Sequence, residues 1–273
     1  MKGKPRVLNT HGSLLGYRKY LPAGFQRLPY EVYDRLTFKR AARSADAVVV
    51  SSKFEYTDAV EFGIDKNKLH VIPMGIDIES RPEGRREQEG GVLRLLFVGR
   101  LARVRRVELL LRAAAKLSIP YHVTIVGGEE KTAGLSPPGY RDELKKLCAD
   151  LGIAEHVTFA GAQPPDALKN FYRAAHVFVY PSLYENFGQP VLEAAAAGLP
   201  VVATAVGVAR ELVRDGETGF LVPGEPPSIA ERITALAEPE TRAAFGNSIR
   251  AAVRKKFSWD NIIQRYVAIY HSF

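Results

Sequence analysis

The sequence predicts an α/β fold with parallel, doubly wound sheets. Short apolar runs of strand length alternate with helical segments of about 10–15 residues through most of the chain, which is typical of such folds. Several of these runs end in glycine, where a strand would turn towards the next helix. An apolar content of 46% supports a sizeable core, and the only cysteine, Cys148, excludes an internal disulfide.

The first part of the chain is predicted to hold three strands and two helices. Asp46–Ser51 is a strong strand candidate because it carries a run of Ala and Val, and Ser52 suits the N-cap of the helix that follows. In chain order the predicted elements are the strand Arg6–Thr10, the helix Tyr30–Ser44, the strand Asp46–Ser51, a helix from Ser52 to Phe62, and the strand Leu69–Ile72.

A polar, glycine-bearing segment, residues 78–91, is predicted to be a linker between domains. After it, strands and helices alternate regularly, and Ser228 with Glu231 forms a candidate capping box for one of the later helices. The predicted strands are Leu93–Val98, His122–Val126, His156–Ala160, His176–Pro181, Leu199–Thr204 and Gly219–Val222. The predicted helices are Val107–Leu117, Tyr140–Leu151, Asp166–Ala174, Gly188–Ala197, one that begins at Ser228, Glu240–Phe257, and Ser258–Tyr270.

Two carboxylates stand in a strand–loop–helix–strand unit between Ser182 and Thr204. Glu185 lies in the loop after a buried strand, and Glu193 lies two turns into a helix that Gly188, Gln189 and Pro190 open. A helix N-terminus at the carboxyl end of a parallel strand is where open α/β sheets bind phosphate-bearing ligands. This unit is therefore a predicted binding site for such a ligand.

The stretch Glu185–Glu193 resembles the E-x7-E motif of the retaining, sugar-nucleotide-dependent glycosyltransferases of family 4 (glycosyl transferases group 1). Phe-Gly between the glutamates, Pro-Val-Leu-Glu-Ala at the second glutamate and Gly-Leu-Pro-Val-Val-Ala-Thr after it extend the match. The resemblance implies the GT-B fold, with one complete Rossmann-like doubly wound domain and a partial second one. It also implies transfer of a hexose-type sugar from UDP- or GDP-sugar with retained anomeric configuration, the donor phosphate accepting the acceptor's proton.

The same resemblance implies a division of the chain into four parts. Residues 1–77 would be a partial N-terminal, acceptor-side domain that ends in the signature Pro73–Asp77, and residues 78–91 the linker. Residues 92–257 would be the C-terminal nucleotide-sugar-binding domain, and residues 258–273 a helix that crosses back to the N-terminal domain. We expect the first half of the family's N-terminal domain to be absent from this chain.

Several single residues match the family's donor site. Gly99, Arg100 and Leu101 resemble its G-R-L motif, whose arginine binds the donor diphosphate, and Arg105 replaces the lysine that normally follows. By resemblance, Glu193 would bind the ribose hydroxyls and Glu185 the donor sugar. The predicted catalytic residues are His11, Arg100, Arg105 and Glu185. The predicted donor-binding residues are Gly99, Arg100, Arg105, Gly161, Gln163, Glu185, Phe187, Gly188, Gln189 and Glu193.

Arg106 and Val208 depart from the family's pattern. Arg106 replaces a glycine where the backbone would approach the ligand, and Val208 replaces the second residue of a Gly-Gly loop. A β-branched residue would be strained at the latter position if φ is positive there. An alternative function is therefore a catalytically incomplete sugar-nucleotide-binding module: a split-enzyme subunit, a truncation or a degenerate paralogue.

The positive charge is concentrated in residues 1–45. That segment holds ten Lys or Arg against Glu31 and Asp34. Its net charge of +8 equals the net charge of the whole chain. Such a segment suits an anionic membrane surface, a phosphorylated acceptor or another polyanion. Because no nucleic-acid motif accompanies it, we expect no nucleic-acid partner. The acceptor, whether sugar, lipid or protein, is left open.

Other sequence features set expectations on cofactors, location and assembly. No D-x-D motif and no His/Cys cluster is visible, which predicts metal-independent chemistry without a cofactor beyond the donor substrate. No signal peptide is visible, so we expect a cytoplasmic protein, peripheral at the inner face of the membrane if residues 1–45 bind lipid. A sheet edge left uncovered by missing strands predicts a partner chain or a homo-oligomer.

Overall fold

A computed structural model describes residues 4–10, 28–77, 91–129 and 139–273. In these ranges the strands are β1 (Val7–Asn9), β2 (Ala47–Val50), β3 (Leu69–Val71), β4 (Leu93–Val98), β5 (Tyr121–Val126), β6 (Val157–Gly161), β7 (Val177–Tyr180), β8 (Val201–Thr204) and β9 (Gly219–Val222). The helices are α1 (Leu28–Leu36), α2 (Phe38–Ser44), α3 (Lys53–Glu61), α4 (Val107–Ala114), α5 (Tyr140–Asp150), α6 (Pro165–Ala174), α7 (Gln189–Ala196), α8 (Ala209–Leu212), α9 (Pro226–Thr234), α10 (Pro239–Phe257) and α11 (Trp259–His271).

The strands form two parallel sheets, which confirms the predicted α/β class. The chain divides into two compact units. The first comprises Met1–Gly75, Glu185–Phe187 and Lys256–Phe273, and the second Ile76–Tyr184 and Gly188–Lys255. The four-part domain division given above stays a prediction.

The first unit is organised around β2, the central strand in the order β1-β2-β3. Alternate residues of β2 point to opposite faces, as the two-residue period of a strand requires. Val48 and Val50 pack in a cluster with Ala59 of α3, whereas Val49 packs in a cluster with Ile262 of α11. Helices on both faces explain why all four residues of this strand are apolar and buried.

Helix α3 begins as the sequence predicts. The hydroxyl of Ser52 accepts a hydrogen bond from the backbone N–H of Glu55 at 3.0 Å, which is the usual N-cap geometry. The predicted helix Tyr30–Ser44 is instead two helices, α1 and α2, separated at Thr37. The Thr37 hydroxyl donates to the carbonyl of Tyr33 at 2.6 Å, a back-bond of the kind that bends helices.

The capping-box prediction at Ser228 is wrong. Helix α9 begins two residues earlier, at Pro226, and its N-cap residue Glu225 makes no side-chain capping bond. Proline suits the first turn of a helix, because its missing N–H would have no intrahelical acceptor there, and it moves the start ahead of the serine. The short helix α8, which follows Val208, was not predicted.

The second unit contains a six-stranded parallel sheet in the order β6-β5-β4-β7-β8-β9. Its two central strands, β4 and β7, are almost entirely buried, and Phe97 of β4 stacks on Tyr180 of β7 with ring centroids 5.5 Å apart. The strand order reverses between β4 and β7, so this position is the topological switch point of the sheet. Open α/β sheets bind their ligands beyond the carboxyl ends of the strands at such a point.

Candidate functional site

The carboxyl edge of the six-stranded sheet carries most of the predicted donor-binding residues. Gly99 and Arg100 follow β4, Gly161 ends β6, and Gly188 opens α7 after β7. The second unit contains the predicted residues Gly99, Arg100, Arg105, Gly161, Gln163, Gly188, Gln189 and Glu193. Glu185 and Phe187 belong to the first unit, and His11 lies outside the described residues.

Two glycines allow the ends of β4 and β5 to approach closely. A Cβ atom on Gly127 would lie 1.8 Å from the backbone oxygen of Gly99, and Gly127 has φ +147°. The next residues are joined by a hydrogen bond from the N–H of Leu101 to the carbonyl of Gly128 at 2.9 Å. Only glycine at position 127 is compatible with this approach. The approach fixes the backbone of Gly99, which directly precedes the exposed Arg100.

Arg105 links the loop after β4 to the loop after β7. Its side chain is buried, with 8% of the residue exposed, and Nη1 donates to the carbonyl of Tyr184 at 2.8 Å and to the hydroxyl of Ser182 at 3.3 Å. The backbone N–H of Leu183 donates to the carbonyl of Val104 at 2.8 Å in the same region. A buried positive charge is therefore held in one orientation at the switch point.

The second loop is also fixed from β8. The Thr204 hydroxyl at the end of β8 donates to the carbonyl of Ser182, and the Ser182 hydroxyl donates to the carbonyl of Tyr184 at 2.9 Å. Sequence reasoning did not predict the hydrogen bonds of Ser182 and Thr204, because the partners of these residues depend on the order of the strands. Together with Arg105 they hold residues 182–184, the part of this loop that belongs to the second unit, against the loop after β4 and the end of β8.

Arg106 is the only non-glycine residue with positive φ in the part of the chain that the structure describes. Its φ of 53° and ψ of 42° are left-handed, and it stands at the N-cap of α4. Its Nη2 donates to the carbonyl of Gly224, after β9, at 3.0 Å. The position therefore has the backbone conformation that favours the family's glycine, and the arginine side chain is held against the β9 loop.

The strain considered for Val208 does not arise. Val208 has φ −67° and ψ −21°, an ordinary right-handed conformation, and the preceding Gly207 takes the positive φ of 49°. A valine can adopt this backbone without cost. The second departure from the family pattern is thus compatible with the loop.

The backbone conformations at Arg106 and Val208 predict opposite orders of stability for alanine and glycine variants. Both Arg106→Ala and Arg106→Gly lose the bond to Gly224, but we expect the alanine variant to be less stable by about 1 kcal/mol because it keeps the left-handed strain. At Val208, where φ is negative, we expect Val208→Gly to be the less stable of the pair by about 0.5–1 kcal/mol. Urea denaturation followed by far-UV circular dichroism measures both; the same ranking at the two positions would contradict the assignment of strain.

Helix α7 begins with the residues that the sequence indicates. Gly188 is its N-cap with φ +86°, and Gln189 and Pro190 form its first turn. The backbone N–H groups of a first helical turn have no intrahelical acceptor and attract anions. The predicted phosphate contacts at Gly188 and Gln189 thus lie at a helix N-terminus beside the switch point.

Glu193 has a partner that sequence reasoning missed. The Tyr172 hydroxyl of α6 donates to Glu193 Oε2 at 2.8 Å, and Tyr172 is 4% exposed. Burial, followed by the nearby charge of Glu193, holds the pKa of Tyr172 well above its usual range, so the hydroxyl stays protonated. No local spacing links these residues, because they come from different helices.

A cavity of about 270 Å³ lies within the second unit, and Glu193 and Gln189 are among the residues that line it. Facing helices α6 and α7 form much of its wall. Its lining carries the cations Lys169, Arg173 and Arg250 and the carboxylate Asp77 as well as Glu193. Gln163, at the β6 end, instead donates through Nε2 to the carbonyl of Ala160 at 2.6 Å.

The first unit holds the predicted residues Glu185 and Phe187. Glu185 is 9% exposed, Phe187 packs on Phe257 with ring centroids 6.5 Å apart, and the Ser52 hydroxyl donates to the carbonyl of Asn186 at 2.5 Å. In this way the predicted sugar-binding glutamate lies in a loop held at the N-cap of α3.

Glu55 is a buried carboxylate of the first unit that sequence reasoning missed. Its Oε1 accepts from the Thr10 hydroxyl at 2.6 Å, and its Oε2 accepts from the N–H of Ser51 at 2.7 Å. Glu55 therefore connects the chain just after β1 to the end of β2. His11 follows directly in the sequence.

The described ranges hold no group of three or more His, Cys, Asp or Glu residues arranged to bind a metal ion. None of their helices combines the length and apolar character that crossing a membrane requires.

The second unit has the architecture of α/β domains that bind phosphorylated ligands. It is a doubly wound parallel sheet with glycine turns, arginines and a helix N-terminus at its switch point. Within that class the chain belongs to the glycosyl transferases group 1 family, whose model matches residues 81–252, and the model of Glycosyltransferase Family 4 matches residues 1–80. These matches confirm the family resemblance stated from the sequence.

The chain is similar to curated relatives and to solved structures. A D-inositol 3-phosphate glycosyltransferase of Acidothermus cellulolyticus is 35% identical over 245 residues, which are 83% of this chain and 53% of the relative. Sucrose-phosphate synthase of Thermosynechococcus elongatus is 29% identical with a TM-score of 0.81, over 97% of this chain and 67% of that one. HepE of Anabaena, solved with UDP and glucose, is 24% identical with a TM-score of 0.83, over 98% and 72%.

These neighbours confirm the GT-B-type fold predicted from the resemblance. The chain spans about half the length of the curated relatives that it matches.

Proposed function

We propose that the chain transfers a hexose-type sugar from a UDP- or GDP-sugar to an acceptor, with retention of the anomeric configuration. The observation that carries this proposal is the carboxyl edge of the six-stranded sheet, where Arg100, the buried Arg105 and the N-terminus of α7 lie at the switch point. The leaving nucleoside diphosphate develops negative charge, and fixed cations and helix N–H groups are what stabilise such charge.

The proposed chemistry needs no residue of this chain to form a covalent bond to the sugar. Arg105 is already oriented by the carbonyl of Tyr184, so little reorganisation is needed when charge appears on the diphosphate. Glu185 and His11 remain proposed contacts of the transferred sugar. The acceptor's proton would pass to the donor phosphate as the new glycosidic bond forms and the bond to the diphosphate breaks.

For the acceptor we propose a phosphorylated polyol as the first candidate. The relatives named D-inositol 3-phosphate glycosyltransferase point to such a molecule. The basic character of residues 1–45 suits its negative charge, and Arg35, Arg40 and Arg43 of that segment are exposed. Inositol 3-phosphate and unphosphorylated inositol make a matched pair of acceptors for the transfer assay.

The donor site is tested by calorimetric titration of the purified chain with UDP and with GDP. We expect micromolar binding of one nucleotide, weakened at least about tenfold in both Glu193→Ala and Arg100→Ala, because each removes one charged contact. The exposed pair Arg214–Glu217 offers the control Glu217→Ala, which should bind like wild type.

Three outcomes are informative. Binding followed by transfer from the matching nucleotide sugar, with the product's anomeric proton retaining the donor configuration by NMR, supports the proposal. Binding without transfer to any acceptor favours the alternative function, a catalytically incomplete sugar-nucleotide-binding module. If neither nucleotide binds, the donor site assigned to the switch point is wrong.

A further inference from the structure

The carboxylate of Glu193 is held by a side chain from the neighbouring helix. Tyr172 of α6 donates its hydroxyl to Glu193 Oε2 at 2.8 Å, and the tyrosine is almost fully buried. Since burial and the nearby carboxylate keep this phenol protonated, it acts as a permanent donor. Glu193 therefore enters any complex with one oxygen already occupied.

This contact fixes the orientation in which the carboxylate meets a ligand. A glutamate side chain has several rotatable bonds, and holding it in one rotamer before binding lowers the entropy that a ligand must offset. Oε2 already accepts one hydrogen bond from Tyr172, and the remaining acceptor sites of the two carboxylate oxygens can receive the hydroxyls of a ligand. The donor in such a bond must be an O–H or N–H group of the ligand.

A second acceptor lies one turn earlier on the same helix. Gln189 and Glu193 are four residues apart, so their side chains share one face of α7, and both line the cavity of about 270 Å³. Gln189 Oε1 is buried and has no hydrogen-bond partner among the described residues. A buried acceptor without a donor is costly, and a ligand hydroxyl next to Glu193 would relieve that cost after a small side-chain adjustment.

We propose that Tyr172 is a positioning residue that fixes Glu193 to receive the vicinal diol of a ribose, and that it thereby makes the site select ribonucleotides over nucleotides lacking those hydroxyls. The proposal rests on the proposed donor function of this unit. It assigns to Tyr172 no contact with the donor and no role in the chemical step.

The test compares two nucleotides that differ only in the diol. Calorimetric dissociation constants are measured for UDP and for 2′,3′-dideoxy-UDP, or for the guanosine pair if GDP is the nucleotide that binds. We expect wild type to prefer the ribonucleotide by at least about tenfold, and Tyr172→Phe to reduce this preference to about threefold or less, since the phenylalanine no longer orients the carboxylate.

The chain offers a matched control in a second buried tyrosine–glutamate pair. Tyr140 of α5 is 3% exposed and donates its hydroxyl to Glu108 Oε2 of α4, and neither residue lines the cavity. Tyr140→Phe removes the same atom from a comparable bond, so we expect it to leave the preference for the ribonucleotide unchanged. Melting curves of both variants establish that each remains folded.

Several results would overturn the proposal. Equal weakening of both nucleotides in Tyr172→Phe would mean that the tyrosine supports the fold and not the diol contact. If wild type binds both nucleotides equally well, the proposed selectivity for ribonucleotides is wrong, whereas the proposed donor binding still stands. A wild-type protein that binds neither UDP nor GDP would remove the donor function and this proposal together.

Discussion

Gly127→Ala is expected to destabilise the second unit by about 3 kcal/mol, because it forces apart the ends of two paired strands. The new Cβ would lie 1.8 Å from the backbone oxygen of Gly99, a contact with main chain that no side-chain rotation can relieve. The positive φ of Gly127 adds strain for any residue with a Cβ. Because Arg100 follows directly, we expect nucleotide binding to be lost together with stability.

The neighbouring glycine provides the control. At Gly128 a Cβ would lie 3.4 Å from the Cβ and 4.0 Å from the backbone nitrogen of Ala162, both ordinary contacts, so Gly128→Ala should stay close to wild type. The single tryptophan, Trp259, belongs to the first unit, so its fluorescence does not report on this sheet. Urea denaturation by far-UV circular dichroism, with hydrogen exchange of the β4 and β5 amides, is the suitable measurement. Equal stability of the two variants would contradict the close approach.

Arg105→Ala is expected to lower both stability and transfer. Removing the guanidinium leaves the buried carbonyl of Tyr184 without its charged donor, which we expect to cost about 2–3 kcal/mol. If Arg105 also stabilises the departing diphosphate as proposed, kcat should fall by at least about 100-fold. Arg105→Lys keeps the charge but not the forked geometry, so it should recover part of the turnover.

Arg103→Ala is the control for Arg105→Ala, because it removes a nearby positive charge without removing the buried contacts of Arg105. Arg103 forms an exposed ion pair with Glu143 at 2.5 Å, and such pairs contribute about 0–1 kcal/mol. We therefore expect Arg103→Ala to unfold close to the wild-type urea concentration, and Arg105→Ala at a clearly lower one. Similar midpoints for the two variants would show that the Arg105 contacts contribute little to the fold.

Much of the secondary structure could be predicted because its signals are local. The run of Ala and Val that forms β2, the serine that caps α3 and the Gly-Gln-Pro that opens α7 each act within a few residues of the chain. Two predictions of helix bounds were wrong: α9 begins at Pro226, ahead of Ser228, and α1 and α2 are separated at Thr37, whose hydroxyl bonds back to the carbonyl of Tyr33.

Within the candidate site, the sequence by itself determined which residue types follow which strands, and through the motif match it determined the family. Only the tertiary structure decided their partners: Arg105 with Tyr184 is a contact over 79 residues, Arg106 with Gly224 over 118, and Tyr172 with Glu193 over 21. The reason is the strand order. Placing β4 between β5 and β7 brings together loops that are distant in the chain, and no periodicity or short spacing records that order.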